Sequence, residues 1–433
     1  MRKQYPKILI VSRGVWEDSG TSSTLTNIFA NYPSEQLSQI YIETKMPNTN
    51  HCSSFFQISE FSLLKKTYKW KIQTGHKVDS VYVQDEEVAQ KEAEMMQYVR
   101  GHRSFFYTIL REFLWHLNGW KSRELKSFIN EEDPDVIWLT GSPLILMNRL
   151  SQYVVKEAKK PYCIYEMDDV YSYNNCGKNP LKYLYRFFLR KNVKKLISGA
   201  SQLFVISPKM KREYDSIFGT DSIFLTKSID FSSVTFHPYQ IHQPVRMVYM
   251  GQIIYDRLSS LELVGKALDE FNKEKQHIVL DIYTNNFIDE LRKSQIIKGN
   301  SVFFHAPVPY SEVKNVIDQY DIVVFVESLD KKFKNIARLS FSTKITDYLS
   351  SGKCVLAVGP SDIAPIEYLK ENDAALVANN YDEIKERLQD ILLPETIESY
   401  SYKAYSCGKA NHNKTNMDAS VFGKLIEIAN NKE

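Results

Sequence analysis

Segments typical of short buried strands alternate with helix-like segments along nearly all of the 433 residues. This alternation predicts an α/β fold with mostly parallel sheets and helices on both faces of each sheet. The predicted strands of a first series are residues 7–11, 39–43, 135–140, 162–166 and 202–206. Those of a second series are residues 246–250, 278–283, 302–305, 322–326, 355–358 and 375–377.

A polar segment that contains Pro238 and Pro244 separates the two series and predicts a linker near residues 232–245. A chain of this length exceeds what one hydrophobic core normally supports, so two domains are expected. We predict a first domain over residues 1–235, a second over 245–395, and a helical tail over 396–433.

The charge distribution and the cysteine content limit which partners the protein is expected to bind and in which cellular compartment it is expected. Residues 1–240 hold 32 Lys and Arg against 25 Asp and Glu, whereas the remainder holds 23 against 27. The basic first half favours an anionic partner, but the excess is too small to predict nucleic-acid binding. Five widely spaced cysteines without a Cys-x-x-Cys pair predict free thiols in a reducing compartment. The nine histidines lack metal-ligand spacing, so no metal site is predicted.

The apolar run at residues 8–11 is too short for a signal peptide, and no apolar stretch approaches membrane-spanning length. We therefore expect a cytoplasmic protein. Residues 178–195 interleave seven Lys and Arg with apolar side chains. Such a helix can lie on an anionic bilayer, or it can pack its apolar side inward with its lysines in water. Residues 52–125 fit the alternation least well and are expected to form extra helices. A peripheral position on the inner face of the cytoplasmic membrane therefore remains an open alternative.

Residues 339–360 contain the pattern with the clearest chemical meaning. Ser342 and Thr343 open a helix that a glycine ends, and a short apolar run then predicts a buried strand. A helix N-terminus suits a phosphate group, and Lys344 adds a full positive charge there. Asp347 lies three residues further on, on the same helix face, where a carboxylate can accept two hydrogen bonds from a ribose diol. A nucleotide-diphosphate-sugar site and an ordinary capped helix both fit this segment taken alone.

Four segments, in order along the chain, resemble the nucleotide-binding domain of GT-B fold glycosyltransferases, the family-4-like group of bacterial cell-surface polysaccharide type. They are a strand and glycine turn at residues 247–258, a base-side loop at 305–313, a strand at 320–326, and a ribose and diphosphate helix at 342–358. The resemblance covers residues 246 to 385 well and the rest more loosely. It implies two Rossmann-like domains facing each other across a cleft, with a C-terminal helix that crosses back to the first domain.

The same resemblance implies roles for individual residues. Arg257 and Lys344 would be catalytic, because their charges can stabilise a leaving diphosphate. Gly251 lacks a Cβ and would let the diphosphate approach the backbone. Asp347 stands where the family has its ribose-binding glutamate. The other implied donor-binding residues are Gln252, His305, Pro307, Ser342 and Thr343.

Two positions depart from the family pattern. Leu339 stands where the family often has a glutamate that contacts the transferred sugar, and Gln252 stands where a basic residue usually follows the turn glycine. These departures leave the identity of the sugar and the level of activity open.

The first half offers candidates for the acceptor side. Gly14 and Gly20 follow the first strand, as in the acceptor domain of the family. Asp168 and Asp169 follow the strand at residues 162–166 and should lie at the carboxyl edge of the sheet. They would act as catalytic residues that orient the acceptor hydroxyl or contact the sugar, or they cap the next helix.

We therefore predict an enzyme, a hexosyltransferase-type glycosyltransferase. It would move a sugar from a nucleotide-sugar, expected to be a UDP-sugar, to a hydroxyl of a lipid-linked or polysaccharide acceptor. The resemblance implies retention of anomeric configuration, with no metal and no cofactor besides the nucleotide-sugar co-substrate. Expected partners are the donor, a glycan or lipid-linked acceptor and, as an alternative, an anionic membrane surface, but no nucleic acid. A GT-B fold sugar-nucleotide epimerase or hydrolase, and a non-catalytic nucleotide-sugar-binding subunit of a surface-polysaccharide assembly, remain open.

Overall fold

The computed structural model describes residues 5–18, 23–69, 71–78, 105–117, 119–288, 293 and 299–431. The chain forms two compact units: unit 1 comprises Met1–Ile206, Lys211–Leu225 and Asp418–Glu433, and unit 2 comprises Ser207–Met210 and Thr226–Met417. Residues 232–244, within the predicted linker, form neither helix nor strand and belong to unit 2. The domain bounds inferred from the sequence stay predictions.

Eight strands form the sheet of unit 1. They are β1 (Ile8–Val11), β2 (Leu37–Tyr41), β3 (Ser54–Ile58), β4 (Gly75–Val78), β5 (Val136–Thr140), β6 (Tyr162–Glu166), β7 (Gln202–Val205) and β8 (Ile223–Phe224). Their order is β4-β3-β2-β1-β5-β6-β7-β8, and only the β3–β4 pair is antiparallel. The inner strands β1, β6 and β7 are buried along their whole length, as expected for parallel strands covered on both faces.

Helices connect these strands and begin at ordinary capping signals. They are α1 (Ser23–Phe29), α2 (Glu60–Lys66), α3 (Phe105–His116), α4 (Arg123–Glu132), α5 (Ile145–Ala158), α6 (Pro180–Gly199) and α7 (Pro208–Phe218). The Ser122 side chain caps α4 by accepting a hydrogen bond from the Leu125 N–H. Asn179 caps α6 in the same way, and Pro180 occupies its first turn, where no N–H partner is lost.

Unit 2 has a six-stranded parallel sheet. Its strands are β9 (Val245–Met250), β10 (Ile278–Tyr283), β11 (Val302–His305), β12 (Ile322–Val326), β13 (Cys354–Val358) and β14 (Leu376–Ala378). The order is β11-β10-β9-β12-β13-β14, so the direction of winding reverses between β9 and β12. In open α/β sheets, ligands bind outside the carboxyl ends of the strands at this switch point.

The helices of the second half pack around this sheet, except that the last described helix passes from unit 2 into unit 1 at Asp418. They are α8 (Arg257–Phe271), α9 (Val313–Ile317), α10 (Lys331–Ala337), α11 (Thr343–Ser350), α12 (Ala364–Glu371), α13 (Tyr381–Ile391), α14 (Pro394–Asn411) and α15 (Lys414–Asn430). Short 3₁₀ turns lie at Ser34–Gln36 and Tyr310–Glu312. Apolar side chains from α8, α13 and α14 complete the core against β9, β10 and β12.

The predicted strands agree best with the structure in unit 2. Residues 278–283, 302–305 and 322–326 form strands with the predicted ends. Within residues 52–125 the expected extra helices are present as α2 and α3, but the prediction missed the strands β3 and β4. Strand β4 lies at the sheet edge and is only partly buried, so its four residues carry little apolar pattern.

Three further features concern membranes, metals and thiols. Among the described residues, no helix has the length and apolarity needed to cross a bilayer. In the same part of the chain, no three His, Cys, Asp or Glu side chains are grouped so that they could hold a metal ion. All five cysteines are buried free thiols, as predicted. Metal independence of the reaction stays a prediction.

Candidate functional site

The switch point of unit 2 gathers the predicted diphosphate residues. Gly251 directly follows β9, and Arg257 is the first residue of α8. The connecting loop has an unusual backbone, with φ of 148° at Gly251, 55° at Tyr255 and 61° at Asp256. Left-handed backbone at two consecutive non-glycine residues is strained, and such strain is concentrated at functional sites.

Arg257 is held in place by a buried carboxylate. Its Nε and Nη2 donate to the two carboxylate oxygens of Glu327 at 3.0 Å and 2.7 Å. Glu327 directly follows β12, and its backbone N–H donates to the Val358 carbonyl at 2.8 Å. This bidentate geometry fixes the guanidinium plane and leaves three of its five N–H groups for another ligand. The sequence did not single out Glu327.

Lys344 places a second cation beside the glycine turn. A Cβ added to Gly251 would lie 1.5 Å from Lys344 Nζ, so only glycine leaves room for the ammonium group. Burial, followed by repulsion from Arg257, lowers the pKa of Lys344 to about 8. Within the described residues, no carboxylate lies within ion-pairing distance of Lys344 Nζ, although Glu327 and Asp347 act on it at longer range. The ammonium group is therefore available to an anion.

The start of α11 adds backbone donors. Ser342 is the N-cap residue, with extended backbone, but its side chain accepts no capping hydrogen bond. The first amide groups of a helix have no partner within the helix. With the cap side chain turned away, the amides of Thr343 and Lys344 can bind an anion.

Asp347, the predicted ribose ligand, is held by a lysine that the sequence did not reveal. Lys227 Nζ donates to Asp347 Oδ1 and, at 2.7 Å, to the Tyr310 hydroxyl. Burial raises the pKa of Asp347, and the Lys227 charge opposes this rise. Thr346 Oγ1 donates to the Lys227 carbonyl at 3.0 Å, and this hydrogen bond anchors the irregular backbone around Lys227 to α11. Tyr310 belongs to the base-side loop, so the cluster connects that loop to α11.

The predicted base-side residues lie farther along the same sheet edge. His305 ends the edge strand β11, its Nε2 contacts Asp281 Oδ1, and its ring stacks on Tyr283 at a centroid distance of 4.6 Å. Two strand spacings, about 10 Å, separate β11 from β9. Pro307 and the Gln252 side chain are exposed. The structure therefore brings Gly251, Arg257 and Lys344 together. The side chains of His305, Pro307 and Gln252 lie outside that group.

Leu339 occupies the position of the missing family glutamate, and its surroundings are apolar. The side chain is 0% exposed, and its carbonyl accepts a hydrogen bond from Ser207 Oγ at 2.7 Å. A side chain at this position is fully buried. Glu327 is the buried carboxylate that the switch point contains instead.

The predicted acceptor-side residues belong to unit 1. Asp168 is exposed just beyond β6, whereas Asp169 is buried and accepts hydrogen bonds from Ser172 N–H at 2.9 Å and Ser172 Oγ at 2.5 Å. The carbonyl of Gly14 accepts hydrogen bonds from the Ser12 hydroxyl at 2.8 Å and the Gln39 amide at 3.1 Å. Gly20 lies outside the described residues.

Glu166, the last residue of β6, is a carboxyl that the sequence analysis did not single out. It is buried against Gly141, and its Oε2 has no hydrogen-bond partner in the described part of the chain. Burial, followed by repulsion from Asp168 and Asp169, raises the pKa of Glu166 to about 8. Its signal in the sequence is slight, because Glu166 ends an otherwise apolar strand.

No protein-family model and no curated protein matches the chain. Solved structures do. A glycosyltransferase from Rickettsia africae aligns with a TM-score of 0.58 at 13% identity, over 99% of this chain and 100% of that chain. Sucrose-phosphate synthase from Thermosynechococcus elongatus aligns with a TM-score of 0.58 at 12% identity, over 97% and 98%. The E. coli trehalose-6-phosphate structure bound with UDP-2-fluoro glucose aligns with a TM-score of 0.57 at 9% identity, over 97% and 99%.

Similarity at this level of identity shows the fold, and it extends over nearly the whole chain. The predicted GT-B fold is therefore confirmed. The narrower resemblance to the family-4-like, cell-surface type stays a prediction.

Proposed function

We propose that the protein is a hexosyltransferase-type glycosyltransferase that moves a sugar from a UDP-sugar to a hydroxyl of a lipid-linked or polysaccharide acceptor. The observation that carries the proposal is the unpaired Lys344 ammonium, which lies against Gly251 at the start of α11. Buried cations without counter-ions are costly, and an anionic ligand offsets this cost. The site lies where α/β sheets bind nucleotides.

The proposed chemistry requires stabilisation of a leaving diphosphate. Lys344, the remaining donors of Arg257 and the first amides of α11 provide positive charge and oriented N–H groups for the diphosphate oxygens. Because these groups are held by the fold, they need no reorganisation when negative charge develops. Asp347 would accept hydrogen bonds from the ribose diol, next to Lys227. The E. coli structure of the same fold, bound with UDP-2-fluoro glucose, supports uracil as the base.

Retention of configuration and independence of metal ions belong to the same proposal. With cationic side chains at the diphosphate, the site needs no divalent ion to balance its charge. Of the two candidates in unit 1, Asp168 is exposed and Asp169 is buried, so Asp168 is the one that an acceptor in solution can reach. We place the enzyme in cell-envelope polysaccharide biosynthesis, in the cytoplasm and peripheral to the inner face of the cytoplasmic membrane.

The membrane part of the proposal rests on an exposed apolar surface, here called the α3/α6 face. Phe106 and Phe113 on α3 are 67% and 62% exposed, and Leu181 on α6 is 62% exposed. The other members of the face are Ile109, Leu110, Leu184, Phe187 and Phe188. Their spacing of three and four residues is that of a helix side that normally packs in a core. Large exposed apolar patches mark protein or membrane contacts, and the lysines of α6 favour an anionic bilayer.

Internal contacts fix the two helices of this face. Tyr185 on α6 donates to Glu112 Oε1 on α3 at 2.7 Å, and the rings of Phe105 and Tyr185 meet edge to face at 5.5 Å. Glu112 Oε1 also accepts from the Ile145 N–H at 2.8 Å. The apolar side chains are therefore presented outward by a rigid support.

A nucleotide panel tests the proposed function. We expect UDP or a UDP-sugar to raise the melting temperature more than GDP, ADP or uridine, since a ligand that binds only the native state stabilises it. Lys344→Ala should remove most of this shift, whereas Lys353→Ala, which changes a buried lysine elsewhere in unit 2, should retain it. A shift that is equal for uridine and UDP, or unchanged in Lys344→Ala, would overturn the proposed site. Transfer of labelled sugar to a membrane extract then tests the reaction.

One observation favours a second candidate, a non-catalytic nucleotide-sugar-binding subunit. Leu339 is buried in the core and the Gln252 side chain is exposed, so neither position offers the sugar contact found in the family. This candidate predicts UDP-sugar stabilisation without turnover in the presence of acceptors. Release of UDP from a UDP-sugar that depends on added acceptor would exclude it.

A further inference from the structure

A cationic groove of about 530 Å³ lies on unit 1, formed by the loop before α4 and by parts of α5, β6 and α6. Four basic side chains line it: Lys121, Arg149, Lys156 and Lys195. The groove touches β6 at Tyr162, its first residue, whereas Asp168 and Asp169 follow the last residue of the strand. It is therefore at the opposite edge of the sheet from the candidate acceptor residues.

The charges of this groove are not balanced from within. Its one carboxylate, Glu157, already pairs with Lys126 at 3.0 Å. In the part of the chain that the structure describes, Lys121, Lys156 and Lys195 have no carboxylate at ion-pairing distance. These three lysines, beside a carboxylate that is already paired, create a positive potential that attracts an oxyanion.

Aromatic contacts hold the groove in shape. Lys121 Nζ lies 5.3 Å from the Trp120 ring and 5.7 Å from the Tyr153 ring, and these two rings meet edge to face at 5.3 Å. Tyr162 closes the floor by donating to the Leu196 carbonyl at 2.7 Å. The lysine at the groove mouth is thus restrained by cation–π contacts rather than free in solvent.

The groove borders the α3/α6 face. Helix α6 carries Phe188 of that face and, seven residues on, Lys195 of the groove, which are about 10 Å apart along the helix. His116, the last residue of α3, contacts Arg149 of the groove through Nδ1 and Nη1 at 3.2 Å. An amphiphile whose chains contact the face can therefore place its head group in the groove.

We propose that the groove binds the phosphate of an anionic glycerophospholipid head group while the α3/α6 face lies on the bilayer. The proposal rests on the membrane contact that is part of the proposed function. The α3/α6 face makes apolar contacts with any bilayer. The groove makes the protein prefer a bilayer that contains anionic lipid. Guanidinium and ammonium donors around one phosphate provide charge-assisted hydrogen bonds.

Co-sedimentation with phosphatidylglycerol vesicles and with phosphatidylcholine vesicles tests this assignment. The groove variant is Lys121→Gln, Lys156→Gln and Lys195→Gln combined. A matched control removes the same charge from exposed lysines of unit 1 that belong neither to the groove nor to the α3/α6 face: Lys69→Gln, Lys71→Gln and Lys77→Gln. At about fivefold per lysine, the groove variant should lose about a hundredfold in partitioning onto phosphatidylglycerol. The control should lose clearly less.

Several outcomes decide the matter. Equal losses in the two triple variants would overturn the groove and leave only diffuse attraction. Equal co-sedimentation of the wild type with both vesicle types, together with a rise in melting temperature with millimolar inorganic phosphate that the groove variant lacks, would show that the groove binds free phosphate rather than lipid, which also contradicts the proposal. Absence of wild-type binding to phosphatidylglycerol would refute it together with the membrane contact. Leu184→Ser with Phe188→Ser should weaken binding to both vesicle types.

Two further readouts separate this proposal from the proposed enzyme activity. The groove variant should show the same melting temperature and the same stabilisation by UDP as the wild type, because its residues lie in unit 1 and the nucleotide site lies in unit 2. Loss of lipid preference with intact UDP binding supports the groove. Intact lipid preference in this variant refutes the groove and leaves the nucleotide site untouched.

Discussion

UDP should bind about tenfold more weakly at pH 9 than at pH 7, because Lys344 loses its proton within this interval. Burial lowers the pKa of Lys344 in the free protein to about 8. A bound diphosphate favours the charged form and raises that pKa, so binding takes up a proton wherever the free lysine is neutral. Affinity must then fall as pH rises through about 8.

The magnitude follows from the protonated fraction. With a pKa of about 8, this fraction falls from about nine-tenths at pH 7 to about one-tenth at pH 9. The second ionisation of the phosphate lies near pH 6 and is complete across this range. A tenfold change corresponds to about 1.4 kcal/mol of binding free energy. Removing the side chain altogether should cost about 1.5–3 kcal/mol, the usual range for a hydrogen bond to a charged group.

Calorimetric titration of UDP in buffers with different ionisation enthalpies measures both affinity and proton uptake. Uptake should rise toward one proton per UDP at pH 9. Lys344→Arg should bind UDP with little dependence on pH and without uptake, because arginine keeps its charge. Lys353→Arg serves as the control, since Lys353 is also a buried lysine with a lowered pKa but contacts the Asp318 carbonyl instead. A flat wild-type profile, or an unchanged fall in Lys344→Arg, would refute the reasoning.

Three other substitutions have directions set by the structure. Arg257→Ala should weaken UDP binding by tenfold or more. It should also lower the free energy of unfolding by about 3 kcal/mol, because it leaves the buried Glu327 carboxylate unpaired. A variant as stable in denaturant as the wild type would contradict this. Gly251→Ala should weaken UDP binding, because an alanine at φ 148° is strained and its Cβ would displace the Lys344 ammonium from its place. Gly423→Ala, with open space around it, should leave UDP binding unchanged. Glu166→Gln should stabilise the protein increasingly as pH rises from about 5 to 8. In that range the Glu166 carboxyl is ionised in the unfolded chain but keeps its proton in the folded protein, so ionisation opposes folding of the wild type. A difference in melting temperature between Glu166→Gln and the wild type that does not change with pH would contradict this prediction.

The sequence predicted the fold well where strands are buried on both faces. Strand β12 consists of five buried apolar residues and was predicted with its observed ends. Strands at sheet edges were harder, because β4 contains a histidine and a lysine and pairs antiparallel at the border of its sheet. A short, half-buried strand has no pattern that distinguishes it from a loop.

The candidate site was predicted only where its residues share a local motif. Lys344 and Asp347 lie three apart on one helix, so their spacing indicated them, whereas Gly251, just after a clear strand, was implied by the family resemblance. Glu327 pairs with a partner 70 positions away, and Lys227 contacts a residue 120 positions away from an irregular segment. Neither pair produces a periodicity, because periodicity reports only on neighbours along the chain. Such partners become visible only when the sheet order is known.

The most direct test of the account is a structure of the protein in complex with UDP. We expect a β-phosphate oxygen at about 3 Å from Lys344 Nζ, with the first amides of α11 and the Arg257 guanidinium completing its contacts. A nucleotide bound away from the carboxyl ends of β9 and β12, or a diphosphate that leaves Lys344 without contact, would contradict the account.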